Sequence, residues 1–555
     1  MTKTAAAQAV APPLSPSAHQ DTFARDQLPS RELWPTFEFT VPEVQYPQQL
    51  NAATVLITKA ASVFGADRPA LHAPDRQTWS YGELLRRANQ VAQVLVEDLG
   101  VVPGNRVMLR APNNQWLVAC WLGLLKAGAV AVTTVPALRA PEVQQLIELT
   151  SPSVLLCDSR CDADLPAVEG APTMVLFGGS GADDLIARCD AKSGEFTDIE
   201  TAADDVALLG PTSGSTGTPK ITMHFHRDVL ANADTFARYL IKPAPDDVFA
   251  GSPPLAFTFG LGGLVVFPLR FGASTLLTER TTPAELAELS HRAGATVLFT
   301  APTAYRAIVK QGNGNLLRTL RIGVSAGEHL PADTWRLVHE QTGLRLIDGI
   351  GSTEMLHVFV SAAGDDIRPG ATGRAVPGFR AAILDDNGAV LGPGIPGRLA
   401  VIGPTGCRYL GGDRQRNYVE NGWNITGDIF TMDSGGYFVY QARSDSMIVS
   451  SGYNIGAPEV EMAIAKHPSV LENAVVGRPD PERGSVVCAF IVLADGVAAD
   501  DATRKDIQDF VKQQIAPYKY PRDIRFVADL PRNPSGKLQH FRLREQLQAG
   551  SGASS

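Results

Sequence analysis

The sequence predicts an α/β protein: a large N-terminal domain of mixed α/β sheets carrying a small β subdomain, then a small α+β C-terminal domain. Three observations carry that reading. The chain has 555 residues, well above the roughly 250–300 at which a single hydrophobic core stops growing. Apolar runs of strand length alternate with helical periodicity before residue 372. The texture then changes twice, to short strands between Gly- and Pro-rich turns and, after residue 443, to a compact mixed region.

In residues 80–99, Tyr81, Leu84, Leu85, Ala88, Val91, Ala92 and Leu95 follow helical i, i+3, i+4 steps, so one face is buried. Gly100 ends that helix, and Val107, Met108 and Leu109 read as a strand. A helix over 116–127 and strands at 129–133 and 154–156 follow, then a helix over 284–293 and strands at 296–299 and 322–324. Nearly continuous apolar strands argue for sheets covered on both faces. From 372, runs at 381–384, 398–402 and 437–440 read as a small antiparallel unit. Beyond 443, helices at 460–465 and 506–515 and strands at 474–476 and 486–493 are expected. The expected division is a disordered leader at 1–30, an N-terminal domain at 31–443 with its β subdomain at 372–443, and a C-terminal domain at 444–555.

A net charge of -9 gives no support to a nucleic-acid or anionic-membrane partner. The six cysteines are scattered; Cys157 and Cys161 lack the second pair or histidines of a zinc site, and free thiols in a reducing cytosol are expected. No secretory signal or run of ~18 apolar residues is present, so the expected location is cytoplasmic.

The strongest local signal is Thr212, Ser213, Gly214, Ser215, Thr216, Gly217, Thr218, Pro219, Lys220. Glycines let backbone N–H groups approach an anion, hydroxyls add donors, and Lys220 adds positive charge, which together describe a polyphosphate-binding loop. The Gly-x4-Gly-Lys spacing of P-loop NTPases is absent. Further on stand Ser325-Ala326-Gly327-Glu328, Asp348-Gly349-Ile350-Gly351-Ser352-Thr353-Glu354, Trp423-Asn424-Ile425-Thr426-Gly427-Asp428, Arg443-Ser444-Asp445 with Ser450-Ser451-Gly452-Tyr453, and Pro534-Ser535-Gly536-Lys537. A carboxylate such as Glu354 is a proper hard ligand for Mg²⁺, and Asp428 can accept from two vicinal hydroxyls.

In this order, the motifs make residues 50–545 resemble the superfamily of adenylate-forming enzymes: acyl- and aryl-CoA ligases, luciferases and adenylation domains of nonribosomal peptide synthetases. The resemblance implies ATP, Mg²⁺ and coenzyme A as cofactors. It implies nucleotide contacts at Thr212–Gly217, Ala326, Gly327, Glu328, Asp348, Gly349, Ile350, Gly351, Thr353, Asp428 and Arg443, with Mg²⁺ on Glu354. Thr353, Glu354, Lys220 and Lys537 are the implied catalytic residues, and the C-terminal domain is implied to be mobile about Asp445. Phe257, Ser451, Gly452 and Tyr453 would line the pantetheine channel. Most members have tyrosine where Ile350 stands, which removes aromatic stacking from the base site.

For the acid, Phe257, Thr258, Phe259 and Gly260, with Ala326, Gly327, Gly349, Gly351 and His357, form the implied pocket. Two phenylalanines with closely spaced glycines suit a flat slot for a ring. The segment resembles benzoate- and 2-aminobenzoate-CoA ligases most closely. The expected function is therefore an ATP-dependent aryl-CoA ligase that converts a small aromatic acid through an acyl-adenylate to its thioester, releasing AMP and pyrophosphate. A stand-alone enzyme loading a carrier-protein phosphopantetheine, and a non-catalytic nucleotide-binding protein, are the alternatives. Monomer and homodimer both stay open.

Overall fold

A computed structural model describes residues 13–75, 77–138, 140–163, 165, 172–212, 219–412, 414–443, 447–450, 453–480, 484–515, 519–532 and 538–551. The chain divides into two compact units. The first takes in the described residues of Met1–Ala382, Ala400–Thr426 and Gly435–Phe438; the second takes in those of Ile383–Leu399, Gly427–Ser434 and Val439–Ser555. Segments 383–399 and 427–434, expected with the β subdomain, thus belong to the second unit. A strand pattern in sequence does not say which core a strand joins.

Among the described residues the first unit holds two large sheets. One has six strands in the order Thr173–Phe177, Val154–Asp158, Arg106–Arg110, Val130–Thr134, Val206–Thr212, Lys220–Phe225. All pair in parallel except the last, which runs antiparallel to Val206–Thr212. The other has nine, in the order Arg374–Ala375, Val358–Ser361, Leu346–Gly351, Ile322–Ser325, Val297–Thr300, Val248–Gly251, Ser274–Leu276, Pro69–His72, Thr78–Ser80. Its centre is parallel and its flanks are antiparallel.

The helices follow from local chemistry. Ser80 caps Tyr81–Gln93 by accepting from the Glu83 N–H at 3.1 Å, and Asn114 caps Gln115–Lys126 by accepting from Leu117 N–H at 2.9 Å. Gln115–Lys126 is apolar nearly all round and buried almost throughout, as a core helix must be. Gly123 lets the two helices close: a Cβ there would lie 2.7 Å from the Ala88 carbonyl oxygen. Expected strands and helices through residue 324 form at their predicted places, within a few residues at each end.

Residues 13–30 correct the expected disordered leader. Ser15 N–H donates to Asp204, Ala18 N–H to Asp205 Oδ2 at 3.0 Å, and Arg25 Nη1 to Asp205 Oδ1 at 3.2 Å. Those carboxylates lie about 180–190 positions away in sequence, so composition gave no sign of them.

A five-stranded sheet runs Arg380–Leu384, Gly397–Ile402, Trp423–Met432, Val419–Glu420, with Phe438–Arg443 also on Trp423–Met432. In the second unit another runs Tyr453–Gly456, Met447–Ser450, Gly484–Leu493, Val470–Asp480, with Asp523–Phe526 on Gly484–Leu493. Helices Ala457–Ile464 and Asp501–Gln514 pack on it through Val460, Ile464, Ile507 and Val511. Among the described residues no helix is long and apolar enough to cross a membrane.

Candidate functional site

The Gly/Ser/Thr segment joins Val206–Thr212 to Lys220–Phe225, and Thr212 stands opposite Lys220 in their register. Ser213, Gly214, Ser215, Thr216 and Gly217 themselves lie outside the described residues.

Both flanking strands meet a second turn, which follows Leu346–Gly351 and carries Thr353 and Glu354. His224 Nε2 donates to the Thr353 carbonyl at 2.7 Å. Thr222 Oγ1 donates to the Gly210 carbonyl at 3.0 Å and stands 3.1 Å from the same His224 nitrogen. Gly210 makes room for this approach: a Cβ there would lie 2.9 Å from Thr222 Oγ1 and 3.1 Å from Thr353 Cγ2.

Tyr409 completes the cluster. Its hydroxyl donates to Glu354 Oε1 at 2.6 Å, and Lys220 Nζ lies 5.4 Å from its ring centroid. Burial, reinforced by the Glu354 charge, holds the phenol far above its ordinary range, so it stays a donor. Lys220 and Glu354, drawn from distant parts of the sequence, therefore meet at one tyrosine beside the ends of the Gly/Ser/Thr segment, while the adjacent Thr353 meets His224 and the Gly210 position.

Behind them lies a fully buried polar group. Arg408 Nη2 donates to Asp228 Oδ2 and its Nε to the Met223 carbonyl at 3.2 Å, while its guanidinium carbon sits 3.9 Å from the Phe225 ring centroid. Burial pushes His224 down to about 4; Asp228 opposes the shift and Arg408 adds to it. The imidazole is neutral near pH 7.

At the carboxyl ends of the nine-stranded sheet, Ser325 pairs with Asp348 across neighbouring parallel strands. Ala326 is buried while Gly327 and Glu328 are exposed, and Gly327 has φ +87, a conformation glycine adopts freely. Asp348 is half-buried, and loss of water around its carboxyl raises it to about 8, against a hydrogen bond with Thr372 that favours the charged form. Gly349 and Ile350 pair with Ser361 and Val360. A Cβ at Gly351 would meet the His357 carbonyl oxygen at 2.6 Å, so the hairpin closes only over glycine.

His357 is 3% exposed among Phe236, Phe259, Phe267 and Phe299, with ring centroids 4.6–6.4 Å away. Neither of its ring nitrogens has a hydrogen-bond partner; the Phe259 backbone favours the charged ring without meeting hydrogen-bond geometry. Burial lowers it to about 3.

The expected slot between two phenylalanines changes here. Phe259 packs at 5.5 Å on Phe299, but Phe257 is 38% exposed at the start of the short helix Thr258–Leu261. The glycine faces are filled by the protein's own atoms. A Cβ at Gly260 would lie 2.2 Å from the Pro254 carbonyl oxygen, at Gly262 2.4 Å from His357 Cδ2, and at Gly263 2.6 Å from Phe299 Cδ1. The glycines seat His357 and Phe299, which are themselves buried, so these rings fill the space expected for a ligand and Phe259 alone of the three is part-exposed.

In the second unit, Arg443 Nη1 donates to Asp428 Oδ1 at 3.2 Å, with Asp428 buried and Arg443 exposed. Asp445, Ser451, Gly452 and Lys537 lie outside the described residues, and of Tyr453 only the backbone is described, opening Tyr453–Gly456.

The motifs did not single out Gly210, Thr222, His224, Asp228, Arg408 or Tyr409 as site residues. A signal was present: His224 and Arg408 are polar residues within or beside apolar strand sequence, where a buried polar group needs a partner.

The AMP-binding enzyme model matches residues 57–409, and the AMP-binding enzyme C-terminal domain matches 459–537. The chain is 34% identical to a benzoate–CoA ligase of Thauera aromatica, over 91% of this chain and 98% of that protein. It is 32% identical to a 3-hydroxybenzoate–CoA ligase of Aromatoleum sp. (strain CIB), over 90% and 98%. The crystal structure of the anthranilate CoA ligase AuaEII with anthranoyl-AMP matches with a TM-score of 0.83 at 30% identity, covering 92% of this chain and all of that one.

Proposed function

The chain belongs to the AMP-binding enzyme family, and from that premise we propose that it joins a small aromatic acid of the benzoate or 2-aminobenzoate type to coenzyme A. As an AMP-forming acid–thiol ligase it works with ATP, Mg²⁺ and coenzyme A. The observation that carries the aromatic assignment is the likeness along nine tenths of the chain to a benzoate–CoA ligase and a 3-hydroxybenzoate–CoA ligase, and the part-exposed Phe259 ring, packed on Phe299 and His357, is in keeping with it. An aromatic face such as that of Phe259 accepts a flat ring by dispersion.

The acid's carboxylate attacks the α-phosphorus of ATP, forming the acyl-adenylate and releasing pyrophosphate. Both reactants are anionic, so their meeting requires fixed donors and positive charge. Thr212 and the segment after it supply hydroxyls and backbone N–H groups, Lys220 supplies charge, and Thr353 a hydroxyl. Glu354 would hold Mg²⁺: Tyr409 donates to one carboxylate oxygen, and the other is a hard oxygen donor suited to that cation. The cation would supply positive charge against the phosphates there. Asp428 would accept from the ribose hydroxyls with Arg443 beside it, Lys537 would bridge the reacting carboxylate and ribose, and Asp445 would be the hinge. In the second step the coenzyme A thiol, guided past Gly452, attacks the mixed anhydride and AMP leaves. A free thiol titrates at about 8.5, so enough thiolate is present without a dedicated base.

The test is CoA-dependent AMP formation over a panel of benzoate, 2-aminobenzoate, hydroxybenzoates and fatty acids. Turnover of the aryl acids with coenzyme A alone is expected. Preference for fatty acids would overturn the acid class, and turnover only with a carrier protein would overturn the acceptor. Lys537→Ala is expected to stop adenylation and spare thioester formation from supplied acyl-adenylate; equal loss in both steps refutes its role.

A further inference from the structure

We propose that His224 is a positioning residue for adenylation: its Nε2 proton couples the strand pair carrying the 213–218 segment to the turn that holds Thr353 and Glu354. The inference rests on the reading of that segment and turn as the ATP-phosphate site.

Alternation along Lys220–Phe225 separates two jobs. Ile221, Met223 and Phe225 enter the hydrophobic core, whereas Thr222 and His224 share the opposite face. On that face the proton position is determined. The Thr353 carbonyl can only accept, and the Thr222 hydroxyl already donates to the Gly210 carbonyl, so His224 Nε2 must be the donor to both.

The other ring nitrogen makes no such demand. Nδ1 is buried without a hydrogen-bond partner, and Asp228 Oδ2 stands 3.9 Å away, beyond hydrogen-bond reach, held by Arg408. The ring is thus oriented from one side only. Among the described residues, the His224 bond is the one hydrogen bond that joins this strand pair to the backbone of the turn. Its removal lets the turn and the strand pair drift apart while both stay folded, which weakens simultaneous grip on the phosphates.

A residue that merely fills the core would behave differently, and three variants separate the cases. His224→Leu removes the proton, His224→Asn keeps polarity but is too short to reach Thr353, and His224→Gln presents an N–H near the Nε2 position. With ATP–pyrophosphate exchange, thioester formation from supplied acyl-adenylate and the thermal midpoint all measured, His224→Leu and His224→Asn are expected to raise the KM for ATP about tenfold, the worth of one well-formed hydrogen bond. Thioester formation from the adenylate should stay within about twofold, because pyrophosphate has left by then. His224→Gln should recover most of the loss.

An unchanged KM in His224→Leu and His224→Asn overturns the proposal. So does an equal fall in both half-reactions that tracks the thermal midpoint, or a His224→Gln variant no better than His224→Asn. Wild-type enzyme without exchange on any acid overturns the phosphate-site reading as well, whereas active wild type with insensitive variants overturns the coupling alone.

Discussion

Gly210→Ala adds one methyl group where the strand before the Gly/Ser/Thr segment meets the Thr353 turn. Gly210 is absent from the positive-φ glycines, so alanine is conformationally tolerated and the effect is steric. The new Cβ would stand 2.9 Å from Thr222 Oγ1 and 3.1 Å from Thr353 Cγ2. Restoring a carbon–carbon separation of about 3.5 Å requires the Thr353 methyl to retreat by roughly 0.4 Å. Overpacking of this kind costs about 1–3 kcal/mol, which the entropy gained by replacing glycine offsets by about 0.4–1 kcal/mol. If a 1 Å misplacement costs about 100-fold, a shift of roughly 0.4 Å reduces adenylation about sixfold. The assay is ATP–pyrophosphate exchange beside a thermal melt, with Gly392→Ala as control, because nothing lies within 4 Å of a Cβ there and its φ is ordinary. The control should be silent. If Gly210→Ala matches it in both assays, or loses stability with no loss of exchange, the close approach has no bearing on catalysis.

Three further outcomes follow from the same geometry. Arg408→Met removes the guanidinium hydrogen-bonded to buried Asp228 and, among the described residues, leaves it only Arg227, whose Nε stands 4.0 Å from Oδ1, so it should destabilise the first unit by about 3 kcal/mol in urea unfolding, with much of the loss restored in Arg408→Met/Asp228→Asn. Gly262→Ala pushes on His357 Cδ2, 2.4 Å from the new Cβ, and should raise the KM for the aromatic acid while the KM for ATP holds, in steady-state assays on benzoate. The third outcome concerns pH. Asp348 has its carboxyl raised to about 8 from 3.8, so across that window the native state binds the proton that the unfolded chain releases. Stability from this group is full below pH 3.8 and falls as pH rises towards 8. Asp348→Asn should flatten that part of the thermal midpoint–pH curve, and an unaltered slope in calorimetry refutes the assignment.

By itself the sequence determined the α/β alternation, most strands and helices of the first unit, and the family to which its contiguous motifs point. Those features depend on neighbours in sequence. Tyr81, Leu84 and Ala88 declare a buried helix face by spacing, and Thr212 through Lys220 has the composition expected of an anion-binding loop. What tertiary structure decided depends on partners brought from afar. Asp204 and Asp205 hold the segment after residue 13, which composition alone makes a leader. Gly262 and Gly263, legible as open space for a ligand ring, are covered by His357 and Phe299, because a missing Cβ says where a ring can lie and not whose ring it is. His224, Asp228, Arg408 and Tyr409 show the same limit: each bears a polar group whose partner sits on another strand or turn, and hydrogen bonding at about 3 Å is a property of the folded chain.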